Sequence, residues 1–562
     1  TQLAEDSEIS KVEVAGPGFI NIWVSADNLT EVVRQVLSTD SFTETIATET
    51  VSSKYGDSAL LAGTTINLEY VSANPTGPLH IGHARWAAVG DALGRLLQSA
   101  GAKVINEYYF NDHGVQIDRF TNSLLAAAFH FPPPDDGYSG DYISQIAEQI
   151  LELRFEVVSE PNKSAYILKE GKNATLEGNS KDSGALRSAQ AESSTGKSSL
   201  FKFTHHVRHN STDSETVSNS SDLVTTVEQI PKAVTEIFRE EGVRLMTGKI
   251  QQSLADFGVH FDVYFNEHSL YRDGEVEQAI QVLRDKNLIY ENDGATWFAS
   301  SRLGDDKDRV IVKSDGTTAY LAADIAYYYN KRQRGADVAV YMLGADHHGY
   351  VGRLKAVAAA FGDDPNYNLK VLIGQMVAVE SQGEFSRLSK RGGTMVFLDD
   401  LIEAVGKDAL KYSLTRSNPN RNMVLDLDLI TKASTDNPIF YVKYVHARCC
   451  SVNKVAQQRG IAYQDQTWQL VEADKELVSL LDQFPLVLAE AVEYYEPYRI
   501  CHFLETLAAA YHKWYAHNPI LPKANQAAEP LHYGRLALSN AVRTVIRHTL
   551  EDLLGLEAPQ RM

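Results

Sequence analysis

Residues 67–85 read NLEYVSANPTGPLHIGHAR, and that stretch constrains the chain more than any other. Ile66 to Val71 reads as a strand that runs into Pro75-Thr76-Gly77-Pro78, and a helix is expected from near His80. A strand that passes through a tight loop into a helix opens a βαβ unit, which calls for a parallel sheet. The free amides and the positive dipole end of such a helix favour an anion. His80 and His83, three apart, share one side of its first turn, and Gly82 between them leaves room for a flat ring. Imidazoles so placed can donate hydrogen bonds to phosphate oxygens, most usefully to charge that develops during a reaction.

Around this unit the 562 residues fall into four textures. Residues 1 to about 60 contain VEVAGPGFINIWVS, two short strands about a Gly-Pro-Gly turn, then a helical stretch from Asn28 to Leu37 and a polar connector. Those strands need partners, expected upstream of Thr1; the chain starts without Met and reads as truncated or processed. From about Thr64 to Arg416, strand-like runs (TTINLEYV, AKVINEYYF, VLIGQMVAV) alternate with helical stretches, the pattern of a doubly wound α/β sheet. From about Leu429 to Met562 apolar and aromatic residues recur at helical spacing, as expected of an all-α bundle core. Between Val158 and Ile230 the chain is rich in Ser, Asn, Thr and Lys and is expected to be a disordered insertion. It follows an amphipathic helix with Ile143, Ile146, Ile150 and Leu153 on one face. The histidines of its HHVRH cluster, His205, His206 and His209, read as solvated loop residues rather than metal ligands. The expected divisions are 1–60, 61–425 and 426–562.

Composition excludes several classes. A formal net charge of −20 argues against nucleic acid bound over the whole surface, while leaving local basic grooves open. Cys449, Cys450 and Cys501 contain no C-x-x-C pair, so neither a disulfide framework nor a cysteine-rich zinc site is expected, and a reducing cytoplasm fits. The first residues lack the basic and apolar pattern of a secretory leader, and no run approaches the roughly 18 apolar residues of a membrane span.

The stretch from Asn67 to Arg85 closely resembles the HIGH signature of class I aminoacyl-tRNA synthetases, and its Glu69, Ser72 and Asn74 are those of the arginyl-tRNA synthetase family. RLSKRGGTMVFLDDL, from Arg387, resembles the second signature, the KMSKS loop: Ser389 and Lys390 match, while Leu388 replaces the usual Met and Arg387 the usual Lys. TTAYLAADIAYYYNK, VYMLGADHHGYVGRLK and GQMVAV extend the likeness, and DNPIFYVKYVHARCCSV resembles the start of the family's helical anticodon-binding domain. The likeness spans essentially the whole chain apart from the insertion.

The resemblance implies a Rossmann-type catalytic domain, an anticodon-binding bundle and the remnant of a small α+β domain that touches the tRNA elbow. It implies ATP with Mg2+, L-arginine and tRNA(Arg) as substrates and partners, a monomer, and ligation through an arginyl-adenylate to the 2′-hydroxyl of the terminal adenosine. His80, His83 and Lys390 would be catalytic. ATP would lie against Pro75, Gly77, His80, Gly82, His83, Gly344, Asp346, Gln375, Met376, Val377, Ser389 and Lys390, with Gln375 to Val377 as a strand passing adenine. Glu69, Ser72, Asn74, Tyr320, Asp324 and His348 would hold arginine, the Tyr320 hydroxyl helping Asp324, since a guanidinium is expensive to bury unpaired. Tyr441, Tyr444, His446 and Arg448 would meet the anticodon, because unpaired bases stack on aromatic faces and on Arg. Two other readings remain open: another class I synthetase or nucleotidylyltransferase, and a non-catalytic RNA-binding relative.

Overall fold

Strands buried on both faces need helices above and below, and this chain supplies both. The computed structural model describes residues 9–16, 19–24, 26–38, 43–46, 49–52, 54–160, 163–169, 202–206, 226–381, 384–385 and 396–562. Its central sheet has five parallel strands in the spatial order Val263–Asn266, Lys103–Phe110, Thr65–Glu69, Val338–Gly344, Leu369–Gly374. In chain order that is third, second, first, fourth, fifth. The winding therefore reverses between Thr65–Glu69 and Val338–Gly344, and a crevice opens at the carboxyl ends of those two strands, where doubly wound sheets bind ligands.

The helix that follows the first strand, Ile81–Ser99, lies close on the sheet through small side chains such as Ala84, Ala87 and Ala88, with Leu93, Leu96 and Leu97 beside them. Gly90 is required there. A Cβ at that position would stand 2.3 Å from the ring of Tyr70.

The run VLIGQMVAV is not one strand. Leu369–Gly374 ends in the central sheet, and Val377–Ser381 starts a second, three-stranded sheet with Glu384–Phe385 and Met423–Asp426. Gln375 and Met376 are the corner between the two. Hydrophobic runs do not record such corners, because both halves are equally apolar.

The last third is helical: Pro438–Gln458, Lys475–Tyr494, Tyr498–His517 and Pro530–His548 pack together around Leu481, Phe484, Leu504, Leu507, Val542 and Val545. Buried Asp474 organises one end, accepting from Trp514 Nε1 at 2.8 Å and Arg535 Nε at 3.2 Å. Arg416 binds Glu505 through two hydrogen bonds, of 2.8 and 3.0 Å, and Lys443 reaches Asp408 at 2.5 Å, so the bundle and the α/β half are tied by charge. Buried Lys411 and Arg95 share Asp91 of the Ile81–Ser99 helix, at 2.7 and 2.8 Å.

Near the start, Ile9–Ala15 and Phe19–Val24 form the expected antiparallel hairpin. The helix Ala26–Ser38 packs on the bundle helices Lys475–Tyr494 and Pro530–His548, and the Arg34 guanidinium stands 4.5 Å from the Trp468 ring centre. The amphipathic helix Asp141–Arg154 buries Ile143, Ile146 and Ile150 as its spacing predicts, but Leu153 is 52% exposed. Within the region expected to be disordered, the structure instead places a three-stranded antiparallel sheet, Phe155–Glu160, Lys163–Leu168 and Lys202–His206. Residues 170–201 and 207–225, His209 included, lie outside the described residues, as do the side chains of His205 and His206.

One buried titratable group joins the connector to the bundle. His548 Nδ1 lies 2.9 Å from Asp552 Oδ2, and its Nε2 lies 3.4 Å from Asp57 Oδ1, an ion-pair approach without hydrogen-bond geometry. Burial opposes its charge, Asp552 and Asp57 favour it, and the carboxylates prevail, so its pKa is raised. Stabilisation from such a group is complete below the unfolded value of about 6.5 and is lost as pH rises through the folded value. His548→Gln should therefore lower the thermal midpoint more at about pH 6 than at about pH 8.5. An equal loss at both would show that the imidazolium contributes nothing.

Candidate active site

The signature helix is capped by its own histidines. Gly82 N donates to His80 Nδ1 at 3.1 Å, and His80 N donates to His83 Nδ1 at 3.3 Å, a reciprocal box usually built from Ser or Thr with Glu. The two rings lie 3.8 Å apart. Because each Nδ1 accepts, each neutral ring carries its hydrogen on Nε2, where it is a free donor. Burial lowers the pKa of His80, and burial followed by the neighbouring His80 takes His83 down to about 3. Both rings are thus neutral donors near pH 7. Ile81 N donates to Val396 O at 3.1 Å and Leu398 N to Leu79 O at 2.7 Å, which fastens the helix start to the segment leaving the basic loop. Ser389 and Lys390 themselves lie outside the described residues. In the entry loop Pro75 is buried, and Gly77 lies against Tyr142, whose hydroxyl donates to Thr76 O at 3.3 Å.

Beyond the helix, Gly344 and Gly374 are cross-strand partners at the carboxyl ends of adjacent strands. A Cβ on Gly374 would stand 2.4 Å from the Trp86 indole, so the strand end is flush against the signature helix only because this residue is glycine. Next to Trp86, buried Arg85 donates from NH1 to the carbonyls of Gln375 (2.9 Å) and Arg421 (3.1 Å), and from NH2 to those of Asn418 (2.9 Å) and Arg421 (3.1 Å). Burial lowers its pKa to about 10, which leaves it charged. It clamps the Gln375 corner in place. Gln375 N donates to Pro419 O at 2.9 Å, Met376 is 78% exposed, and Val377 begins the second sheet. Asp346 and His347 are exposed on the turn Ala345–Tyr350; the side chain of His348 is not described.

On the other side of the crevice the first strand ends with Val71 and Ser72 at φ +69° and +46°, a left-handed backbone that a β-branched valine rarely adopts and that marks stored strain. The kink turns Ser72 so that its Oγ donates to Glu69 Oε1 (3.2 Å) and accepts from Tyr109 N (3.2 Å). Asn74 is fixed at both ends, accepting from Asn111 N at 3.1 Å and donating to Gln116 Oε1 at 2.7 Å. Tyr320 opens the helix Tyr320–Gln333 and is 87% exposed. The hydroxyl bonded to Asp324 belongs to Tyr350, not to Tyr320. Although Asp324 keeps partial contact with solvent, burial above all, with Glu267 and Glu69 adding to it and the Tyr350 hydroxyl and Arg353 opposing, pushes its carboxyl up to about 7. Glu267, which accepts from Tyr109 Oη (2.5 Å) and Asn111 Nδ2 (2.9 Å), is a third carboxylate of this wall; its pKa is raised by burial.

Sequence reasoning missed Arg85, Tyr350, Glu267 and a polar layer beneath Glu69. Only the helical spacing of Asp324, Tyr327 and Lys331 hinted at that layer. Fully buried Lys331 donates to Glu69 Oε2 at 2.7 Å and Asn67 Oδ1 at 2.8 Å. Glu107 accepts from Arg334 NH1 and NH2 (2.5 and 2.9 Å), Tyr327 Oη (2.6 Å) and Asn67 Nδ2 (3.0 Å). Burial raises the Glu107 pKa, but Lys331 and Arg334 outweigh it and hold the group at about 2.

Far from the crevice, Tyr441 and Tyr444 flank His512, with ring centres 4.4 and 5.6 Å away. Arg448 donates to Tyr444 Oη at 2.7 Å and stands over the rings of Tyr444 (4.5 Å) and Tyr515 (4.6 Å). Tyr444, Arg448 and Tyr515 line an open groove of about 690 Å³ that also takes in Val455, Arg561 and Met562. His446 is elsewhere: it is buried, its Nδ1 bonded to Pro559 O at 2.9 Å under the chain end.

The fit of strand end to helix yields a test. Gly374→Ala should cost about 1–3 kcal/mol of stability, the usual penalty of overpacking. A smaller residue at Trp86 should recover part of that loss in the double variant. Additive losses, measured by urea unfolding, would show that the two residues do not meet.

Two family descriptions match this sequence: "tRNA synthetases class I (R), catalytic domain" over residues 47–131 and 186–451, and "DALR anticodon binding domain" over 442–562. The arginine–tRNA ligase of Bifidobacterium longum (strain DJO10A) is 43% identical, covering 100% of this chain and 88% of that protein. That of Bifidobacterium animalis subsp. lactis (strain AD011) is 45% identical, covering 99% and 86%. A Campylobacter jejuni structure assigned as an arginyl-tRNA synthetase superposes with a TM-score of 0.73 at 28% identity, covering 96% of this chain and 100% of that one. The Thermus thermophilus arginyl-tRNA synthetase shares the fold, with a TM-score of 0.67 at 18% identity and coverage of 99% and 89%. Site geometry, matched families and relatives of this identity over the whole chain agree, and the chain belongs to the arginine–tRNA ligase family of class I aminoacyl-tRNA synthetases.

Proposed function

We propose that this chain ligates L-arginine to tRNA(Arg) at the expense of ATP, through an arginyl-adenylate formed in the crevice between the Thr65–Glu69 and Val338–Gly344 strands. The observation that carries the reading is the pairing, across one crevice, of two neutral Nε2–H donors with a wall of carboxylates. Adenine lies along Gly344, Gln375, Met376 and Val377, a corner that Arg85 holds through the Gln375 carbonyl, and its sugar and phosphates pass Pro75, Gly77, Gly82 and Asp346. His80 and His83 donate to the α-phosphate as negative charge builds on it, and Lys390 with Ser389 meets the departing pyrophosphate. Mg2+ would enter with the phosphates of ATP and offset their charge.

The guanidinium of arginine pairs with Asp324 and Glu69; Ser72 and Asn74 orient the amino-acid end, with His348 near by. Tyr320, exposed at the helix start, is a further contact for the bound amino acid. Its carboxylate attacks the α-phosphate, pyrophosphate leaves, and the 2′-hydroxyl of the terminal adenosine then takes the arginyl group. Residues 61–425 do this chemistry. Residues 426–562 read the anticodon in the groove of Tyr444, Arg448 and Tyr515, with Tyr441 behind them and His446 as support. Residues 1–60 approach the tRNA elbow. The enzyme works as a monomer in the cytoplasm, a reducing compartment that suits its three free cysteines.

The direct test is pyrophosphate exchange into ATP with each amino acid, with and without total tRNA. Arginine alone should drive it; exchange driven by another amino acid, or by none, refutes the reading. A second expectation follows from Asp324. A guanidinium binds the ionised carboxylate, so below about pH 7 arginine affinity should rise about tenfold per pH unit, with uptake accompanied by proton release, and level off above. Calorimetric titration of Asp324→Asn should show weak, pH-independent binding; a wild-type profile flat from about pH 5.5 to 8 sinks this assignment. Third, Tyr444→Ala and Arg448→Ala should each raise KM for tRNA about tenfold or more, as lost stacking on unpaired bases does, with KM for arginine unchanged. Equal effects on both substrates would move the anticodon elsewhere.

A further inference from the structure

We infer that Lys331, a residue with no exposed surface, is the positioning residue of the arginine pocket, acting through Glu69. The inference rests on the reading of Glu69 as a ligand of the substrate guanidinium. Asp324, Tyr327 and Lys331 follow one another down a single face of the Tyr320–Gln333 helix, so one rigid element carries the pocket carboxylate at its upper end and the cation below. Lys331 Nζ lies 2.7 Å from Glu69 Oε2 and 2.8 Å from Asn67 Oδ1, the two polar side chains that the central strand buries. The rings of Tyr327 and Tyr341 close around it, at 4.4 and 4.2 Å from their centres.

Glu107 stands 3.7 Å from the same ammonium but already has a two-pronged partner in Arg334. Lys331 thus faces both carboxylates, and Glu69 is the one it bonds directly. With Oε2 bound to Lys331 and Oε1 to the Ser72 hydroxyl, the plane of the Glu69 carboxylate is set before substrate arrives. Each oxygen keeps a lone pair for a guanidinium N–H. A planar fork demands such alignment, since two parallel hydrogen bonds form only when both groups are coplanar. Lys331 also supplies the counter-charge that two buried carboxylates need, so a positioning role has to be read from substrate affinity rather than from stability.

The test is a cycle of Lys331→Met and Glu69→Gln, with Lys331→Gln as the variant that keeps a donor without the charge. In arginine-dependent pyrophosphate exchange, Lys331→Met should raise KM for arginine about tenfold or more and leave KM for ATP within about twofold. Lys331→Gln should recover part of the loss, and in the Glu69→Gln background Lys331→Met should add little. A purely structural lysine would lower kcat by the fraction of misfolded enzyme and move neither KM. If Lys331→Met folds poorly, arginine titration of the soluble Lys331→Gln protein gives the same comparison. An unchanged arginine KM, or a full extra loss in the Glu69→Gln background, overturns the inference. Wild-type enzyme that fails to use arginine would instead overturn the reading of the pocket, so the two failures are distinguishable.

Discussion

The catalytic half depends on how one strand meets the demands of its own buried polar groups. Thr65–Glu69 lies at the centre of the sheet, paired in parallel on both sides, so its side chains have helices above and below. Asn67 and Glu69 are nonetheless buried there. A carboxylate in that position is tolerable only with a counter-charge and hydrogen bonds. Lys331 from the helix Tyr320–Gln333 provides them, while Glu107, Arg334 and Tyr327 complete the layer. The network joins two neighbouring strands and a helix that is remote in sequence, and it sits directly beneath the point where the winding reverses. Ligand site and sheet core are therefore one polar structure.

The two ends of the crevice solve different electrostatic problems. At the helix start, burial removes charge from His80 and His83, and backbone amides occupy Nδ1, so each ring can only donate outward. Neutral donors suit a phosphate whose charge grows during reaction, since they need not give up a proton to hold it. At the opposite wall Glu69, Asp324 and Glu267 stand together, and Asp324 is raised chiefly by burial, with the neighbouring carboxylates adding to it. Arg85 serves neither wall directly. It spends its guanidinium on backbone carbonyls of Gln375, Asn418 and Arg421, bracing the corner between two sheets that no regular strand could brace.

Charge also joins the bundle to this core. Arg416 pairs with Glu505 two residues before Asn418, whose carbonyl accepts from Arg85. Lys411 and Arg95 meet on Asp91 of the signature helix.

Much of this was legible from the chain. NPTGPLHIGH forces strand, turn and helix in that order, because proline and glycine permit little else, and the alternation around it predicts the wound sheet. The helical third and the N-terminal hairpin were legible too, since local period and turn chemistry carry them, whereas Glu69, Ser72 and Asn74 stood out only by resemblance to a family signature. What tertiary structure alone decided are the long-range choices: that Tyr350 rather than Tyr320 meets Asp324, that His446 turns inward to Pro559, and that Gln375 is a corner rather than the middle of a strand. The helix Ala26–Ser38 likewise found its partner in the bundle, hundreds of residues away. The physical reason is common to all of them. Periodicity reports which face of an element is apolar, whereas the partner of a hydroxyl, an imidazole or a buried cation depends on which distant element folds against that face.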